Sequence, residues 1–141
     1  MTGVDLARFV TAQEEIYPQA LAELEAGRKQ SHWMWFIFPQ LAGLGASPMA
    51  VHYALASAAE ARAFLAHPVL GGRLRACVAA MLAHSGARPE AILGAIDALK
   101  FRSSLTLFEA VADEPAPFAD ALDAFYDGVR DDRTLRLLGN G

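Results

Sequence analysis

The chain has 141 residues, a formal net charge of −4 and one cysteine, Cys77. That length suits a single domain over 1–141, large enough to remove roughly 70% of its unfolded surface from water without a disulfide, which one cysteine excludes in any case. The modest acidic balance argues against nucleic-acid binding, no apolar run approaches the roughly 18–20 residues of a membrane span, and MTGVDLARFV lacks the basic-then-apolar order of a signal peptide, so the expected location is the cytoplasm.

Alanine and leucine dominate, and both favour helix. Leu6, Phe9, Val10, Gln13, Ala20 and Leu24 follow helical spacing. Pro18 predicts a kink or two abutting helices there, and Gly27 a stop. Next comes SHWMWFIFPQ, residues 31–40, with six apolar residues from Trp33 to Phe38. It is too short to span a membrane and has no partner strand. Ser31 can cap it and Pro39 must end it, so it reads as two tight, largely inaccessible helical turns. PQLAGLGASP follows as a turn-rich loop marked by Gly43, Gly45 and Pro48.

Ser57 and Glu60 form a capping box for a helix over Ala61–Ala66. Pro68 suits the first turn of a helix striped by Leu70, Leu74, Cys77, Val78, Met81 and Leu82 and closed by Gly86. Pro89 opens a helical region from Glu90 to about Ala112. Pro117 precedes a helix carrying Phe118, Leu122 and Phe125 and stopped by Gly128, and Asp131 caps a last short helix ending near Gly139. The expected fold is all-α, about seven helices with no substantial sheet.

G-x-S-x-G, Walker, H-E-x-x-H and C-x-x-C patterns are missing, and no cofactor is called for. LAGLGAS, residues 41–47, follows no alternating strand and reads as a turn. His32, His52, His67 and His84 show no ligand spacing, so no metal site is expected. His67 and His84 read as residues at helix C-termini, where a cation is favoured.

Two segments carry polar groups beside aromatics. His32 borders the aromatic block, as a partly buried imidazole that needs partners, and Gln40 flanks its other end. In DALKFRSSLTLFEA, residues 97–110, Asp97, Lys100 and Ser104 share a helix face, while Arg102, Ser103 and Thr106 lie on other sides. Hydroxyls this dense compete for backbone hydrogen bonds and suit either a solvated, bent face or a ligand site. The ligand reading has His32, Trp35, Gln40, Lys100 and Ser104 converging on a small, anionic or nucleotide-like molecule. Lys100 attracts its charge, Ser104 donates to it, Trp35 forms an aromatic wall, and His32 and Lys100 are the candidate catalytic groups if the protein is an enzyme. The competing reading is a non-catalytic helical domain that binds a protein partner or associates with itself. The oligomeric state is left open.

The blocks RFVTAQEEIYPQALAELEAGRKQSHWMWFIFPQLAGLGAS, EARAFLAHPVLGGRL and ALKFRSSLTLF together resemble domain-of-unknown-function family 1810, a bacterial and fungal family whose members sometimes carry the label calpastatin. The resemblance covers nearly the whole chain and implies a compact all-α protein, with no activity attached. Leu105 replaces the methionine usual in the family's Ser-Ser-Met-Thr-Leu-Phe pattern, a volume-conserving change. A fainter similarity, in helical layout and the lysine-bearing segment, links the chain to the NADAR proteins, which act on ADP-ribose derivatives, but their acidic signatures are missing.

Overall fold

Caps and stops written into the sequence set most helix ends in the computed structural model, which describes residues 5–139. Among these residues there are nine helices: α1 (Ala7–Glu25), α2 (Met34–Ile37), α3 (Pro48–His52), α4 (Ala58–Ala66), α5 (Leu70–Leu82), α6 (Pro89–Leu93), α7 (Ala95–Val111), α8 (Ala116–Tyr126) and α9 (Asp132–Gly139). The fold is all-α. Its only strand-like feature among the described residues is an isolated parallel bridge between Leu41 and Leu55. That bridge is closed by Leu55 N–H to the Gln40 carbonyl (2.9 Å) and Ala42 N–H to the Leu55 carbonyl (2.8 Å).

The count exceeds the expected seven for two local reasons. Gly94 sits at φ +89°, a conformation that breaks the region after Pro89 into α6 and α7. Ser47 caps a short helix at the end of the turn-rich loop, accepting from Ala50 N–H at 3.2 Å with Pro48 in its first turn. Pro18 lies within α1 rather than between two helices. It is on the exposed side, where water can hydrate the carbonyl its ring leaves unpaired. The aromatic block makes one helical turn, not two. Trp33, not Ser31, is its N-cap, because the Ser31 hydroxyl is bonded elsewhere.

Helix α7 is the centre, packing on α4, α6, α8 and α9, while α5 packs on α1, α4 and α8. The buried apolar residues form one cluster. Aromatic rings run through it: Phe9 meets Phe64 edge-on at 5.1 Å between centroids, Phe64 meets Phe108 at 5.5 Å, and Phe108 meets Phe118 at 5.9 Å. Trp33 is 0% exposed, and Met34, Phe36, Ile37 and Phe38 are buried with it, whereas Trp35 is half-buried. Residues 33–38 are therefore mostly core. The ring of Phe38 lies 4.7 Å from that of Phe101, which joins the block to α7.

His67 and His84 act as caps. His84 Nε2 donates to the Glu25 carbonyl at the end of α1 (2.8 Å). His67 ends α4, and its Nδ1 accepts from Val69 and Leu70 N–H at the start of α5. This second role needs the neutral ring, not the cation the sequence suggests. Cys77 is free and buried inside α5, and burial pushes its thiol up to about 12. Its reaction with Ellman's reagent at pH 8 is therefore expected to be slow in the native protein and to go to completion in 6 M guanidinium. Rapid native labelling would contradict the packing of α5.

Candidate functional site

The site begins with how the aromatic block is held. Glu23, on the last turns of α1, is 9% exposed. Its carboxylate accepts from Gln30 N–H (2.8 Å), Ser31 N–H (3.0 Å), the Ser31 hydroxyl (2.6 Å), Trp33 Nε1–H (2.9 Å) and the Gln19 amide (3.0 Å). Burial alone would raise its pKa, but the hydrogen bonds from Ser31, Gln30 and Trp33 outweigh it and hold the carboxyl down at about 2. The acceptor for the buried indole is thus Glu23, a residue one helix earlier, and not His32 or Gln40.

From this fixed loop two side chains reach α7. Lys29 Nζ lies 2.9 Å from Asp97 Oδ2 and 5.1 Å from the Trp33 ring centroid. Lys100 Nζ lies 5.4 Å from the Trp35 ring centroid and 3.8 Å from Asp97 Oδ1. Asp97 therefore serves two cations, and the shorter contact goes to Lys29. The two segments singled out from the sequence do meet, across about 70 residues of chain, through Trp35 and Lys100 on one hand and Lys29 and Asp97 on the other.

Beside this junction lies a cleft of about 470 Å³ between α7, the loop before α3, and the start of α9. That size suits a small ligand. Gln40 and Lys100 line it. His32, Trp35 and Ser104 do not: His32 is exposed rather than partly buried, Trp35 packs between the core and Lys100, and Ser104 is 1% exposed and turned into the core. The face shared by Asp97, Lys100 and Ser104 starts at the surface, but α7 runs inward, so residues 103–108 are covered all round. No aromatic ring lines the cleft. Its apolar wall is Leu44, Ile96 and Leu99.

The charge comes instead from Lys100, Arg102 and Arg133. Arg102 is half-buried, with its guanidinium 5.9 Å from the Tyr126 ring, and among the described residues its buried Nε finds no hydrogen-bond partner. The Tyr126 hydroxyl donates to the Ala98 carbonyl (2.5 Å), which fixes that ring, and burial raises its pKa. Arg133 donates to the Gly43 carbonyl (3.1 Å). Among the described residues neither arginine has a carboxylate within ion-pairing distance. The acid at the wall, Asp131, is occupied: its Oδ2 accepts from Thr134 N–H and the Thr134 hydroxyl, capping α9 as the sequence predicts. The hydroxyls of α7 mostly satisfy themselves, Ser103 donating to the Leu99 carbonyl and Thr106 to the Arg102 carbonyl.

By helical phase Arg102 falls on another side of the helix from Asp97 and Ser104, and no sequence signal singles out Arg133. Only the docking of α9 on α7 unites them, and no local spacing announces it. Among the described residues no three His, Cys, Asp or Glu side chains group as metal ligands, and no helix is long and apolar enough to cross a membrane.

Fold and cleft together define a small all-helical domain built around one buried central helix. The chain belongs to the DUF1810 family, described as "Protein of unknown function", which it matches over residues 3–138. It is similar to the conserved hypothetical protein Rv1873 from Mycobacterium tuberculosis, whose crystal structure superposes with a TM-score of 0.94 at 47% identity over 96% of each chain. No curated protein matches it.

Proposed function

We propose that this protein binds a small anionic ligand in the cleft lined by Gln40, Lys100, Arg102 and Arg133. The observation that carries the reading is the set of cations lining the cleft, Lys100, Arg102 and Arg133, of which neither arginine has a carboxylate partner among the described residues. An anion in the cleft would offset this excess of positive charge through charge-assisted hydrogen bonds. Lys100, only loosely held by Asp97, and Arg133, bound to a neutral carbonyl, support the same reading.

The reading is of binding rather than catalysis: no imidazole borders the cleft, and the Asp131 carboxylate is engaged as a cap. A protein-docking role has less support. The exposed large apolar residues are spread over α3, α7, α9 and the connecting segments, and the adjacent pair Ile96 and Leu99 lies on the cleft itself. We place the protein in a bacterial cytoplasm, a reading supported by its single, buried, free cysteine and by the family resemblance.

Thermal unfolding with and without inorganic phosphate tests the proposal. Phosphate at ten times its dissociation constant is expected to add about 1.4 kcal/mol of stability to the wild-type protein. Arg102→Ala and Arg133→Ala should each lose most of that gain. No stabilisation of the wild type, or full retention of it in both variants, would refute the assignment.

A further inference from the structure

We infer that the preferred ligand is an organic phosphate monoester, with a dianionic head at one end of the cleft and an apolar body at the other. This rests on the anion-binding reading above and narrows it to a class. The cleft is graded along α7. At the start of the helix it presents Ile96 and Leu99, which are 71% and 60% exposed. Further along it presents Arg102 and Ser103, with Lys100 between the two ends, and Arg133 lines it from α9. From Ile96 to Ser103 the helix rises about 10 Å, the length of a small aromatic phosphate.

The head group follows from charge. Lys100, Arg102 and Arg133 line the cleft, and among the described residues Asp131 supplies its one carboxylate. That carboxylate is bound by Thr134, and Asp97 lies closer to Lys29 than to Lys100. The cleft thus has an excess of cations that a monocarboxylate balances only in part. A phosphate dianion supplies about two charges and three acceptor oxygens, which match an excess of more than one cation better than a monocarboxylate does. The body follows from exposure. Ile96 and Leu99 are successive apolar residues on the exposed face of a helix whose other side is core, and their position at the cleft lets an apolar group cover them. A free inorganic anion would leave that wall in water.

Isothermal titration with three probes tests this: inorganic phosphate, phenyl phosphate and benzoate. Phenyl phosphate is expected to bind the wild-type protein at least about tenfold more tightly than either of the others. In an Ile96→Ser, Leu99→Ser double variant, which alters exposed positions only, phenyl phosphate should fall to the affinity of inorganic phosphate, with inorganic phosphate unchanged. Equal binding of phenyl phosphate and inorganic phosphate by the wild type would overturn the apolar body and leave the anion site standing. So would an advantage that survives the double substitution. Benzoate binding as tightly as phenyl phosphate would overturn the dianionic head. Binding of none of the three would overturn the anion site itself along with this inference.

Discussion

Replacing Glu23 by alanine is expected to destabilise the protein by about 3–4 kcal/mol, although Glu23 touches neither the cleft nor any ligand. Its carboxylate is the shared acceptor for Gln30, Ser31 and Trp33, and truncation leaves a buried indole N–H and two backbone N–H groups unpaired. Urea unfolding at pH 7 measures the loss. The pH dependence separates charge from shape. The folded carboxyl titrates near 2 against an ordinary value of 4.5. The stability it contributes, on the order of 3 kcal/mol, is therefore fully present above about pH 4.5 and drains away as pH falls towards 2. Glu23→Gln keeps one acceptor oxygen but cannot titrate. Its stability should fall less steeply than that of the wild type over this interval, and parallel curves would show that Glu23 is not the group responsible.

The second large effect is at Gly71, where α5 crosses α4. A Cβ there would lie 2.0 Å from the Leu65 carbonyl oxygen, a backbone atom that cannot step aside. Gly71→Ala forces the helices apart and is expected to lower stability by roughly 2–4 kcal/mol. The neighbouring Gly72 is exposed on the same helix, and a Cβ there meets nothing within 4 Å. Gly72→Ala is expected to raise stability by about 0.5–1 kcal/mol through helix propensity alone. Chemical denaturation of the pair gives changes of opposite sign if the crossing is as close as described, and two small gains if it is not.

Much of the fold was legible because its signals are local. Ser57 with Glu60, Asp131, Gly128 and the stripe from Leu70 to Leu82 all act within a few residues of themselves, and each marks the element expected of it. Local signals failed where a competing partner lay far away. Ser31 reads as a cap but is claimed by Glu23 from the previous helix, and Gly94 looks like any glycine in a helical run until its φ is known. For the candidate site, Lys100 and Gln40 were found because polar groups beside aromatics draw notice. Arg102 was passed over because its helical phase points away from Asp97 and Ser104. Arg133 was passed over because nothing near it in the chain hints at a distant wall. His32 drew notice for its neighbours, yet its own side chain faces water.

The positive cleft sits on a chain whose overall charge is −4, and this gives it an unusual relation to salt. At physiological ionic strength the Debye length is about 8 Å, so a small anion near the cleft feels Lys100, Arg102 and Arg133 but little of the rest of the surface. At about 0.01 M salt the length grows to about 30 Å, and the whole acidic molecule then repels the same anion on approach. Encounter with a small anion should therefore speed up when a little salt is added and slow again only at high salt. A long polyanion spans far more than the cleft and meets net repulsion at low salt, which added salt screens. On the anion-binding reading proposed above, this balance of charges would favour a small anion over a long one before any contact is made.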